Sequence, residues 1–311
     1  MCQRAEVSRA GYYRRFREQA PEAEAMEVRA AVQQIALEHR RRYGYRRITA
    51  ELRRRGLAVN HKRVARFMRE DNLLALRRKA WVATTNSGHE LRVYLNLAQR
   101  MELNAPDQLW VADITYIRLL REFVYVALVV DGFSRRAVGW ALERTLQTRL
   151  AVQALEMAIA QRQPRLGLVH HSDRGIQYAS AEYAALLMEH GMTPSMSRPS
   201  NPFDNAPCES FIKTLKQEEI YGHPYRDLEE LRLHLREFIE DYYNRRRLHS
   251  ALGYRTPAEF EAARPTGVPR AQLSASIKLS FQGIGRAIHP MNQELQPQRE
   301  REVEEVKNGG P

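Results

Sequence analysis

Residues 123–131 read FVYVALVVD, an almost continuous apolar run that ends on an acid. So short a run, bounded by turn residues, reads as a strand covered on both faces. It is flanked by β-rich LWVADITYIRL and by RRAVGWALER. The connections, LLRE and GFSR, are short, so the three segments read as an antiparallel meander. TRLAVQALEMAIAQRQ then has the pattern of an amphipathic helix with Leu150, Leu155, Ala158 and Ile159 inward. LGLVHHSD reads as a short buried strand, SAEYAALLMEHG as a helix stopping at Gly191, and MTPSMS as another strand. The stretch NPFDNAPCESFIKTLKQE runs from a loop into a further helix. Three strands, then helix, strand, helix, strand, helix, is the order of an α/β sheet with helices on its faces.

The first quarter of the chain is different in kind. Residues 1–80 hold 21 Lys/Arg against 9 Asp/Glu, whereas residues 81–311 hold 28 of each. The whole net charge of +12 therefore sits in the first quarter, which suits a polyanion-binding module joined to a near-neutral body. Within it, residues 27–43 place Val28, Val32 and Ile35 at helical spacing. YGYRRITAELRRRG sets Ile48 and Leu52 four apart and stops at Gly56, and Asn60 is an N-cap for HKRVARFMRED with Val64, Phe67 and Met68 inward. Two short helices joined by a Gly-containing turn read as helix-turn-helix, with His61, Lys62, Arg63 and Arg66 as DNA-contact candidates. The other reading is a basic helical hairpin that binds no DNA.

Residues 80–105 lack a clear period and read as a linker, giving a helical region over 1–79 and a catalytic body over 106–263. Residues 227–247 repeat Leu228, Leu231, Leu235, Phe238 and Tyr242 at spacings of three and four, a long helix. From residue 264 to 311 the composition is that of a disordered tail. No run of 18 apolar residues suggests a membrane span, and the charged N-terminus lacks a secretory h-region. Two cysteines, Cys2 and Cys208, are too few for a disulfide scaffold, so a reducing, cytoplasmic setting is expected.

Three carboxylates stand where such a sheet can gather them. Asp113 lies in the first strand, Asp173 follows LGLVHHS, and Glu209 opens the last helix of the sheet region. Gathered carboxylates repel, and shared divalent metal with oxygen ligands makes them tolerable. Two such ions activate an attacking oxygen and steady a leaving one at a phosphodiester. The spacing alone is weak evidence; the surrounding motifs, WxxDITY, HSDRGxQY and DNAxxESFxxxLK, carry more. Glu209, Lys213 and Lys216 share a stripe at i, i+4 and i+7, so Glu209 is either a metal ligand or half of a surface ion pair worth about 0.3–0.5 kcal/mol. Asp204 or Asn205 can cap that helix. His170 and His171 read as hydrogen-bonded strand residues, Asp131 as a turn holder with Ser134, and Cys208 as a buried thiol. The cluster Arg245, Arg246, Arg247 and His249 is either a solvated face or a DNA contact.

On these motifs, together with VSRAGYYRR, YGYRRITAEL, TTNSGH and YYNRRRLHSALGYRTPAEF, the chain resembles the transposases of the insertion-sequence-three family, second-reading-frame product, from about residue 7 to 262. The resemblance implies a ribonuclease-H-like mixed sheet with flanking helices, shared with retroviral integrases, preceded by an all-α helix-turn-helix domain. It implies a catalytic and metal-binding triad of Asp113, Asp173 and Glu209, using two ions of Mg²⁺ or Mn²⁺. It puts Lys216, and with it Lys213, on DNA phosphate. The implied partners are the element's terminal inverted repeats, target DNA, further copies of the chain on DNA, and an upstream-frame protein or a fusion to it. The implied place is the bacterial cytoplasm, at the nucleoid. Two rivals remain: a catalytically silent DNA-binding copy or inhibitor of transposition, and a metal nuclease that cuts without joining.

Overall fold

The computed structural model describes residues 23–75, 93–198 and 205–263. The expected tail and most of the expected linker lie outside them. Helix α1 (Ala23–Glu38) buries Val28, Val32 and Ile35, as their spacing predicts. It stops five residues short of the expected end, because Arg40 and Arg41 take left-handed φ angles of 49° and 56°. That reversal swings Tyr43 fully inward, where its hydroxyl donates to the Arg246 carbonyl and accepts from the Leu248 amide. Helix α2 (Tyr45–Arg54) ends on Gly56 at φ 85°, with the Leu57 amide bonded back to Leu52 and the Gly56 amide to Arg53. This paired closure is why a glycine stands there. Helix α3 (His61–Glu70) starts at Asn60, whose side chain accepts from the Lys62 amide at 2.8 Å. Its Val64, Phe67 and Met68 are buried.

The sheet follows as β1 (Leu109–Arg118), β2 (Phe123–Asp131) and β3 (Ala137–Glu143), then helix α4 (Thr148–Arg162) and β4 (Val169–Ser172). Helices α5 (Ile176–Ala179) and α6 (Ala181–Glu189) precede β5 (Thr193–Met196). The strand order is β3-β2-β1-β4-β5. The first three strands are antiparallel, as the short turns require, and β4 and β5 add in parallel beyond β1. Both faces are covered: Trp110, Ala112, Val129 and Val138 pack with α4, α5 and α6, while Val111, Val126, Leu128 and Val130 face the other way.

Helix α4 rests directly on β3 at Gly139. A Cβ there would lie 2.1 Å from the Ala154 carbonyl oxygen and 2.9 Å from the Ala158 amide nitrogen. Both are backbone atoms of a packed helix and cannot turn aside. Gly139→Ala is therefore expected to destabilise the protein by about 1–3 kcal/mol, read as a lower midpoint in urea unfolding.

The second face is covered by α7 (Ala206–Glu218), α8 (Leu228–Arg236) and a π-helix over Glu237–Arg246, against which α9 (Pro257–Ala262) packs. The long helix expected over 227–247 is thus two segments. Leu228, Leu231, Leu235, Phe238 and Tyr242 are all buried as expected, but i→i+5 bonding after Arg236 also turns Tyr243 and Asn244 inward. Asn244 reaches β3, taking the Ala137 amide at 3.0 Å and donating to its carbonyl at 2.9 Å. Arg232 donates to the Leu142 carbonyl on the same strand. The core of α1–α3 runs without a break into that of α7, α8 and the second sheet face. Among the described residues no helix is long and apolar enough to cross a membrane.

Candidate active site

The β1–β4 ladder decides what lies near Asp113. Leu109 pairs with Val169, Trp110 with His170 and Val111 with His171. Continuing that register by two residues sets Asp113 opposite Asp173. Asp173 lies one residue past the end of β4, and its charge acts on Asp113, so the two carboxyl groups are neighbours. Each is also held locally: Asp113 Oδ1 accepts from the Ile114 amide and Asp173 Oδ1 from the Gly175 amide, both at 2.9 Å. Burial, and next the charge of Asp173, pushes the Asp113 carboxyl up to about 8, with Glu209 adding to the push and the Ile114 amide and Lys216 opposing it. Two carboxylates so arranged are poorly served by the protein alone and suit a hard divalent cation.

Asp113 shares the sheet face of Val111, the face on which α7 lies. Cys208 is fully buried there, its Sγ 3.4 Å from the Val111 carbonyl, and burial raises its thiol well above the usual value. That suits the packing role expected of it and leaves no reactive thiolate. Phe211 and Leu215 continue the same buried stripe. Glu209 stands next to it in the first turn, exposed to solvent, with partial burial raising its carboxyl. Its charge is felt by Asp113. Among the described residues no three His, Cys, Asp or Glu side chains close around one point tightly enough to hold an ion by themselves. The aspartates are brought together, and Glu209 flanks them.

Lys216 is half-buried, its Nζ 4.8 Å from the Tyr116 ring centroid, and it acts on Asp113. Burial lowers its ammonium while Asp113 holds it up. Lys213 is exposed. The expected cap of α7 is different. The Asn205 side chain makes no cap bond and instead donates to the Ala112 carbonyl at 3.3 Å, next to Asp113; Asp204 lies outside the described residues. A residue that could have capped the helix ties it to β1.

The flanking groups behave as structural residues. Both ring nitrogens of His171 are engaged, by Ser195 Oγ at 2.9 Å and Ser197 Oγ at 3.0 Å, and His170 Nε2 meets the Tyr183 hydroxyl at 3.0 Å. Burial drops His170 to about 3, so its ring is neutral. Asp131 is fully buried and holds the β2–β3 turn through the Ser134 amide and hydroxyl and the Phe133 amide. Its second oxygen takes the Asp107 amide at 2.7 Å. The basic cluster divides: Arg247 and His249 are buried, while Arg245 pairs with Asp241 at the surface. Tyr178 closes the HSDRGxQY motif that contains Asp173, though nothing in that pattern gives the ring a role. Its hydroxyl is buried without a hydrogen-bond partner and feels both aspartates.

Comparison with known proteins now adds to this geometry. The Integrase core domain family matches residues 104–202 and again 190–257, and the HTH-like domain family matches residues 23–81. An insertion element IS600 31 kDa protein of Shigella sonnei is 39% identical over 267 residues, covering 84% of this chain and 97% of its own. Transposase InsF for insertion sequence IS3A of Escherichia coli is 35% identical over 266 residues, covering 84% and 92%. The chain belongs to the IS3 family of insertion-sequence transposases. Its sheet is the ribonuclease-H-like integrase sheet, and its reaction class is polynucleotidyl transfer. Among solved structures, a chain of the simian T-cell lymphotropic virus intasome overlays with a TM-score of 0.45 at 17% identity, covering 77% of this chain and 76% of that one.

In the transposase's helical region, the predicted DNA contacts fall into two groups. His61 and Lys62 are exposed at the start of α3, His61 stacked on Tyr45 with centroids 6.0 Å apart. Arg63 instead pairs with Glu24 and Arg66 with Glu70, and both guanidinium groups lie over Phe67. Much of the local basic excess is likewise met by acids: Arg29 by Asp71, Arg55 by Glu38, and, across to the catalytic region, Arg40 by Glu237 and Arg54 by Glu259. Counting charges along the chain could not reveal these partners.

Proposed function

We propose that Asp113, Asp173 and Glu209 are the reacting site of this transposase, and that it both cuts its element's ends and joins them to a new phosphodiester. The observation that carries the reading is that β1, which holds Asp113, lies beside β4, which ends one residue before Asp173, with Glu209 in the first turn of the helix packed on the same sheet face. The raised Asp113 carboxyl supports a cation requirement, since the donor set is all oxygen. Divalent metal, two ions of Mg²⁺ or Mn²⁺, supplies Lewis acidity at the scissile phosphodiester when bound. Asp113 and Asp173 hold it from the sheet, and Glu209 completes the set from α7.

The chain's other residues orient the substrate. Lys216, and Lys213 beside it, hold phosphate near the reacting group; His61, Lys62, Arg63 and Arg66 dock the helical region on the duplex. Both chemical steps are in-line displacements, first by water and then by the freed 3′-hydroxyl, with no covalent protein intermediate. Holding two ends at once calls for more than one copy of the chain on the terminal repeats and target, with an upstream-frame protein as a partner or fusion. The helical region (1–79), linker (80–105), catalytic core (106–263) and tail (264–311) are the working parts of this reading.

Lys216→Ala is expected to weaken binding to element ends about equally for all sequences and to lower the salt slope by about one. Equilibrium binding at several salt concentrations checks it. The reading as a whole is tested with the purified transposase, a labelled duplex of its own element end, and Mg²⁺. Nicked 3′ ends that become joined to a second duplex support it. Cutting without joining would favour the nuclease reading, and binding without cutting the silent-copy reading.

A further inference from the structure

Arg42 and Arg47 stand in HRRRYGYRR, residues 39–47, the most basic-looking part of the helical region. Their side chains are turned into the protein. The Arg42 side chain is only 7% exposed. Its Nε donates to the Glu218 carbonyl at 2.9 Å, its Nη2 pairs with Glu219, and its guanidinium lies 4.3 Å from the centre of the Tyr242 ring. Glu219 is then saturated by the Tyr225 hydroxyl at 3.0 Å and His234 at 3.1 Å. Arg47 reaches Glu218 Oε1 at 3.0 Å, where Arg247 also binds.

Glu218 is the last residue of α7 and Glu219 its C-cap. Glu209 and Lys216 ride on the same helix, Glu209 about 13 Å toward its start at 1.5 Å per residue. The N-terminal end of α7 is tied to β1 through Asn205 and Cys208. A helix held at one end by β1 and at the other by arginines has its rotation and slide set by both. We propose that Arg42 and Arg47 are positioning residues that hold α7, and so Glu209 and Lys216, in register with Asp113, and that they are not DNA contacts. The helical region is then a structural part of the catalytic unit. This rests on the assignment of Glu209 to the reacting site.

Arg42→Lys separates the two roles. Lysine keeps the charge that a phosphate contact needs but lacks the fork that spans the Glu218 carbonyl and Glu219 together. In the full chain with its element-end duplex, Arg42→Lys is expected to slow cleavage at saturating DNA on the order of 10²-fold, with affinity for the end changed by less than about twofold and an unaltered salt slope. The Mg²⁺ concentration for half-maximal cleavage should rise several-fold, a shift that a general loss of folded protein would not produce. Wild-type cleavage with a wild-type Mg²⁺ midpoint would overturn the proposal. So would Arg42→Gln, which removes the charge, binding the end more weakly with the salt slope reduced by about one. Glu209→Gln is run alongside: if it cuts normally, the site assignment fails first; if it is inactive while Arg42→Lys cuts normally, only the positioning role fails. Should Arg42→Lys not fold, Arg47→Lys, whose side chain is 24% exposed, carries the same expectation and the same overturning results.

Discussion

Asp113→Asn is expected to slow strand cleavage at the element ends by about 10³-fold or more while leaving end binding within about twofold. Asn matches Asp in shape and still offers an oxygen to the Ile114 amide, so β1 and its ladder to β4 should stand. What is lost is the carboxylate that a bound cation would hold in its charged form beside Asp173. The substitution also relieves the protein. In metal-free buffer the Asp113 carboxyl is disfavoured in its charged form by burial and by Asp173. The variant should therefore melt no lower than wild type, so that loss of cutting cannot be laid to unfolding. Asp173→Asn and Glu209→Gln are expected to be as inactive. Single-turnover nicking of a labelled end, beside a thermal melt, reads both halves. Normal cutting by any of the three would remove that residue from the site.

Arg247→Met should unfold the protein more easily, by about 3–5 kcal/mol. The Arg247 side chain is 6% exposed and grips Glu218 with Nε at 2.9 Å and Nη2 at 2.7 Å. Met fills the space but leaves the 12%-exposed Glu218 with Arg47 as its remaining cation. The effect should fade in acid. Burial pushes the Glu218 carboxyl up, but Arg247 and then Arg47 outweigh it and hold the group below its ordinary 4.5. A carboxylate depressed on folding stabilises above its unfolded pKa and stops doing so as pH falls through the folded one. The gap between wild type and variant is thus full at pH 7 and narrows below about 4.5. Urea unfolding of both proteins at pH 7 and in acid measures it.

The sheet was legible because its signals are local. An apolar run with short turns on either side can only be an inner strand of a meander, and β2 is that strand. Gly56 and Asn60 end and start helices for reasons contained in their own backbone and side chain, and both do so in the fold. Asp113, Asp173 and Glu209 stood out through their flanking motifs; the two-residue step beyond the β1–β4 ladder, which turns spacing into proximity, needed the structure. Partners distant in sequence were not legible. Nothing near Arg42, Arg47 or Arg247 says that Glu218 and Glu219 will face them, so a run of arginines reads as a nucleic-acid surface when part of it is an internal clamp. The π-helix was hidden as well, since apolar spacings of three and four fit an α-helix equally well through Tyr242.

One contact bears on how copies of this transposase can meet. Strand β3 lies at the margin of the sheet, and an uncovered margin recruits strands from other molecules and invites aggregation. Here Asn244 occupies both hydrogen-bonding groups of Ala137, and Arg232 takes the carbonyl of Leu142. The π-helical turn that aims Asn244 thus works as a guard on this margin of the sheet, closing it to a strand from another molecule.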